Sequence, residues 1–132
     1  MSESRLQSEV VKYIQLQYPK ALYCASLGGI RTSMTQAVMA KRTGYVKGFP
    51  DLFVYEPSPC GKYHGLDLEI KTLKGRATKE QKEWIEALNE RGYKAVIVKG
   101  LPDILNCIDS YFLNQSMYQA KELHKEYLNE KD

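Results

Sequence analysis

The chain has 132 residues, 43% hydrophobic and 11% aromatic, and its 19 Lys and Arg against 16 Asp and Glu give a formal net charge of +3. That length suits one domain with a real core rather than two, and the composition excludes a disordered tail. No apolar run is long enough to span a bilayer, "MSESRLQSEV" is no signal peptide, and Cys24, Cys60 and Cys107 are too scattered for a disulfide framework or a zinc knuckle, which predicts a reducing, intracellular setting.

In chain order, Ser4 with Gln7 has capping-box spacing, and Leu6, Val10, Tyr13, Ile14 and Gln17 share one face of a first helix running to Tyr18, with Pro19 as the stop. "ALYCAS" reads as a short apolar strand, and Gly28-Gly29 permit a tight turn after it. "TSMTQAVMAKRTG" predicts a short helix ending at Gly44. Two strands follow, "DLFVYE" and "LDLEIKTL", separated by the loop "PSPCGKYHG". Thr78 with Gln81 opens another helix, through Trp84, Ile85 and Leu88, that Gly92 closes. "KAVIVKG" is a further strand, and Pro102 suits the first turn of "PDILNCIDSYF". Met117, Ala120, Leu123 and Tyr127 lie at amphipathic spacing in a last helix. The order α-β-α-β-β-α-β-α-α predicts an α/β fold, a central mixed sheet flanked by helices.

Charge is unevenly placed. From Ser26 to Pro50 there is no acidic residue, while Arg31, Lys41, Arg42 and Lys47 are basic; Lys71, Lys74, Arg76 and Lys79 form a second basic set. Each lysine alone reads as solvated surface, but two such segments beside the two central strands favour a polyanionic partner.

The two strands carry charge where core strands are apolar. Alternation sends Asp67, Glu69 and Lys71 to one face and Leu68 and Ile70 to the other. Asp51 opens a strand only a short loop earlier, so the two pair as a hairpin in which Asp51 and Glu69 meet, at a strand spacing of about 4.8 Å. Adjacent carboxylates repel unless a cation lies between them, and carboxylate oxygens with waters suit Mg²⁺ or Mn²⁺. Lys71, one step along the face, is placed to stabilise an oxyanion. Together they suit phosphodiester hydrolysis. The bland alternative is a salt bridge of Lys71 with Glu69 or Asp67 on a solvent-exposed strand face. Other chemistries lack their residues. His64 and His124 are the only histidines, His64 reads as a solvated loop residue and Trp84 as a core residue, and no G-x-S-x-G, G-x-G-x-x-G or Walker A string occurs.

Asp51 followed by Glu69-Ile70-Lys71 resembles the PD-(D/E)-x-K nuclease signature, with Pro50-Asp51 supplying its "PD". More specifically, "SLGGIRT", "KRTGYVKGFPDLFVY" and "LEIKTLKGRATKEQKEWIEALNERGYKAVIVKG" resemble, in order, the VRR-NUC family of virus-type replication-repair nucleases, over about residues 26–100. The resemblance implies a restriction-endonuclease-like core and a single nuclease domain over 1–132, with 101–132 as C-terminal helices outside the match. It implies Asp51 and Glu69 as metal ligands, the backbone carbonyl of Ile70 as a further ligand, Lys71 as the catalytic lysine, and Gln81 acting beside it. Gln81 also fits a plain capping box with Thr78. Glu9 on the first helix matches an acidic residue that such nucleases add to the metal cluster, although it also fits an exposed helix glutamate. Asp67 falls outside the signature, as a rim or supporting residue. Arg31, Lys41, Arg42, Lys47, Lys74 and Arg76 are the expected DNA contacts.

The expected activity is that of an Mg²⁺- or Mn²⁺-dependent DNA endonuclease, similar to stand-alone phage-type members, acting on branched DNA and on four-way (Holliday) junctions first. The alternatives are a flap, nick or duplex-end nuclease, and a catalytically idle nucleic-acid-binding module. Paired cuts at a junction predict a two-fold homodimer, for which Tyr111, Phe112, Met117, Tyr118 and Tyr127 offer apolar surface.

Overall fold

The computed structural model describes residues 1–26 and 33–113. Arg31, the Gly28-Gly29 turn and the last helix with Met117, Tyr118, Ala120, Leu123, His124 and Tyr127 lie outside the described residues. Within them the order is α1 (Glu3–Gln17), β1 (Tyr23–Ala25), α2 (Met34–Arg42), β2 (Leu52–Val54), β3 (Leu66–Lys71), α3 (Lys79–Glu90), β4 (Lys94–Lys99) and α4 (Leu101–Leu113). Every element expected from the pattern in these stretches is present.

The helix starts follow their caps. Thr78 and Gln81 bond reciprocally to open α3, and Ser33 and Gln36 do the same for α2. At α1 the cap is Ser2, whose hydroxyl accepts from the Arg5 amide at 3.2 Å, so the helix starts earlier than the Ser4–Gln7 spacing suggests. That shift places Glu3 in the first turn, where an acid suits the helix dipole.

The sheet runs β1-β2-β3-β4. β1 with β2 and β2 with β3 are antiparallel, while β3 and β4 are parallel and joined through α3. The hairpin register sets Leu52 against Leu68 and Phe53 against Asp67, which brings Asp51 opposite Glu69 one step further on. Leu66, Leu68 and Ile70 of β3 join Leu6, Val10 and Ile14 of α1 and Ile104, Leu105 and Ile108 of α4 in one core cluster. α3 packs along β4, where Asn89 closes the turn by accepting from the Ala95 amide (3.0 Å) and donating to its carbonyl (2.9 Å).

β3 is buried along its whole length. The bland alternative of a solvent-exposed salt bridge does not describe this strand: Lys71 does pair with Glu69, but Asp67, Glu69 and Lys71 are all out of water on a central strand. A second polar feature locks α1 to α4. The Tyr13 hydroxyl donates to Asp109 Oδ2 at 2.8 Å, and the Tyr18 hydroxyl donates to Asp109 Oδ1 in a very short bond. The Tyr18 ring stacks on Phe112 with centroids 4.1 Å apart, so Phe112 covers its own fold.

Candidate active site

The hairpin register does most of the assembly. Asp51 sits at the mouth of β2, and its Oδ2 accepts from the Ile70 amide at 2.8 Å. Opposite it in the register is Glu69, which is 1% exposed. Burial first, then the neighbouring Asp51 carboxyl, push the Glu69 carboxyl well above its ordinary range. Lys71 opposes that shift from the same face, with Nζ 3.9 Å from Glu69 Oε1 and 3.9 Å from Glu3 Oε1. The ammonium is itself 7% exposed, so two carboxylates and one cation share a nearly dry site.

The loop before β2 is held from the other side. Gly48 has a φ of +98° and lies so close to α3 that a Cβ would stand 2.7 Å from the Glu80 carbonyl carbon. Trp84 Nε1 donates to the Lys47 carbonyl at 3.1 Å, and Phe49 meets the Trp84 ring edge-on with centroids 5.2 Å apart. Trp84 is half-buried and lies outside the core cluster, so it is not the core residue expected; it fixes the loop that delivers Pro50 and Asp51.

The other expected residues are placed as follows. Gln81 is engaged in the α3 capping box, its Oε1 accepting from the Thr78 amide at 2.8 Å. Glu9 pairs with Lys12 one turn along α1, at 3.7 Å, through its Oε1. The α1 carboxylate that approaches the site is Glu3, which the sequence reading passed over because Ser4 was taken as the cap. Lys41, Arg42, Lys47, Lys74 and Arg76 are all exposed. Asp67 is no rim residue. It is wholly buried, neither of its oxygens has a hydrogen-bond partner, and desolvation raises its carboxyl to about 7. His64 is exposed, its backbone amide donating to the Gly92 carbonyl at 2.8 Å and its ring beside Tyr93.

Among the described residues no three His, Cys, Asp or Glu side chains come together as a ready-made ligand set. The donors present still fit a hard divalent cation. Two carboxyls face one another at the open end of the β2–β3 hairpin, and Glu69 Oε2 is buried with no hydrogen-bond partner. Without a cation that pair keeps a proton; with one, both carboxylates can ionise against it and the orphaned oxygen gains a partner.

The family model for the VRR-NUC domain matches residues 2–102, taking in α1 and reaching the start of α4. A solved structure described as a VRR-NUC domain protein is 32% identical, with a TM-score of 0.71, over 84% of this chain and 88% of that one. No curated protein matches the chain.

Proposed function

The chain belongs to the VRR-NUC family, a nuclease domain of the PD-(D/E)-x-K type, and on that premise we propose that it is a metal-dependent DNA endonuclease whose site is Asp51, Glu69, Ile70 and Lys71. The observation that carries this reading is the Asp51–Glu69 carboxyl pair at the hairpin mouth, with a buried, unpartnered Glu69 oxygen and the Lys71 ammonium at its side. Asp51 and Glu69 would hold Mg²⁺ or Mn²⁺ through their carboxylates, with the Ile70 carbonyl as a further ligand. When bound there, the cation supplies a more acidic water and neutralises charge on the scissile phosphate.

The chain's own residues do the rest. The Ile70 amide holds Asp51 Oδ2 in place, so one oxygen of that carboxylate is fixed and the other is aimed by the backbone. Lys71 keeps a positive charge in a site shielded from water, where it counts for more against the phosphorane-like charge than it would in solvent. Glu3 holds the ammonium from the far side. Gln81, bound into its cap, places the α3 N-terminus near the loop after β3, where backbone amides favour phosphate oxygens. Lys41, Arg42, Lys47, Lys74 and Arg76 would neutralise flanking phosphates.

The substrate we favour is branched DNA, with a four-way junction first, cut by a two-fold homodimer whose two sites match the junction's two symmetric strands. Three unbridged cysteines fit a reducing compartment. The test is a panel of end-labelled junction, flap, nicked and linear DNAs, each with Mg²⁺, Mn²⁺ or EDTA. Paired cuts on the junction, abolished by EDTA, are the expected result. Preference for flaps or ends would reassign the substrate, and binding without cleavage under any metal would make the chain an idle binding module.

A further inference from the structure

The β1–β2 connection leaves the sheet at Ser26 and returns at Asp51, and the Ser26 amide donates to the Asp51 carbonyl at 2.8 Å. Whatever that connection carries is tethered at the backbone of the site's first carboxylate. In its described part it carries α2, a helix with no buried residue. Met34 is 81% exposed and Val38 53%. Met34, Ala37, Val38, Lys41 and Arg42 fall at i, i+3, i+4, i+7 and i+8, which is one helical face. That face is apolar over its first half and cationic at its end. Among the described residues no element buries this face: the helix is held by its Ser33–Gln36 box and by the Thr43 hydroxyl bonded to the Met39 carbonyl at 2.8 Å.

We infer that this stripe is a reader of broken base stacking, an inference that rests on the nuclease reading above. Lys41 and Arg42 meet backbone phosphates, while Met34 and Val38 lie against bases uncovered at a branch point or other discontinuity. Charge selects nucleic acid over a second copy of the chain. Residues 26–50 contain no acid, so a self-complementary contact would set cations against cations, whereas phosphates complement them. The apolar half selects the kind of DNA. Methionine and aliphatic side chains reach base faces without an unstacking cost where stacking is already interrupted, whereas in a continuous duplex opening a step costs about a few kcal/mol. The cations therefore serve every DNA, and the apolar pair serves broken DNA alone.

The test uses the full-length chain carrying Asp51→Asn to silence cleavage. Its affinities for a four-way junction and for a continuous duplex of equal length are compared, with 2-aminopurine at the branch point. Both apolar side chains are in water, so Met34→Ser/Val38→Ser leaves the core untouched. This variant is expected to weaken junction binding about tenfold while duplex binding stays close to the parent, and to lose the change in 2-aminopurine fluorescence. Lys41→Ala/Arg42→Ala is expected to weaken both DNAs alike. Unchanged junction affinity in the serine variant would overturn the inference and leave the nuclease reading standing. So would a variant that loses a dimer but not DNA affinity, because the stripe would then belong to a second copy. A parent protein that binds neither DNA would bring down both.

Discussion

Lys71 and Glu69 have different jobs, and each is separable at the level of one side chain. Lys71 is nearly buried and lies 3.9 Å from each of two carboxylates, and in the proposed reaction its charge would act on the scissile phosphate. Lys71→Ala is expected to slow single-turnover cleavage about 10²–10³-fold with little change in DNA affinity, the pattern of a charge that acts in the transition state. Equal losses in rate and affinity would make it a binding residue. Glu69 carries the pH dependence. Its carboxyl is raised in the fold, so between its ordinary range and that raised value the folded state holds a proton that the unfolded chain releases. Metal-free stability therefore falls as pH rises from about 5 to 8, with Asp67, raised to about 7, adding to the same slope. Thermal melts in EDTA should show that fall, and Glu69→Gln, which has no proton to lose, should flatten it and be more stable than wild type at pH 8. Added Mg²⁺ should stabilise wild type more at pH 8 than at pH 5, since ionised carboxylates are the ligands.

At the scale of elements, much of the chain was legible because local signals agree. The capping spacing at Thr78, the alternation along 66–71 and the glycine stops at 44 and 92 each point to the element that forms. Contacts distant in sequence were not legible. The Asp109 clasp joins residues 13, 18 and 109, and no periodicity announces a buried carboxylate that serves two tyrosines. The burial of β3 was likewise hidden, since alternating charge normally marks a wet face. Glu3 entered the site only because α1 starts at Ser2. The loop at 47–49 supplies an element-scale prediction. Gly48 combines a positive φ with contact to the Glu80 backbone, and backbone cannot swing aside as a side chain can. Gly48→Ala should push the loop off α3 and misplace Asp51. The expected result is a cost of about 1–3 kcal/mol in urea unfolding, together with a larger fractional loss of cleavage than of DNA binding. Wild-type activity in that variant would mean that the loop's docking does not set the site.

At the scale of the described molecule, the candidate site lies at the open end of the two central strands, β2 and β3. α1 and α4 cover the face of Leu66, Leu68 and Ile70, and the hairpin of β2 and β3 brings together carboxylates that lie far apart in the chain. Asp51 and Glu69 were readable from sequence because a hairpin fixes which residues oppose one another, and the register puts them opposite as the short loop implies. A helix face alone does not say which turn reaches the site; here the first turn does so through Glu3, 3.9 Å from Lys71. At this scale the basic surface should act through phosphates alone. Replacing Lys74 and Arg76 with alanine should weaken binding to all DNAs and make the slope of log affinity against log salt shallower by about 2, read by fluorescence anisotropy. An unchanged slope would place the DNA on another face.

The central claim is that Asp51 and Glu69 form one cation site that drives cleavage. Its most direct test is the rate of junction DNA cleavage by Asp51→Asn, Glu69→Gln and wild type across a Mg²⁺ titration, with folding and DNA affinity checked in parallel. Each substitution removes ligand charge at nearly constant shape. Both variants are predicted to stay folded, to bind DNA at least as tightly as wild type, and to show no cleavage at any Mg²⁺ concentration. A variant that still cuts at near wild-type rate with an unchanged Mg²⁺ midpoint would contradict the assignment.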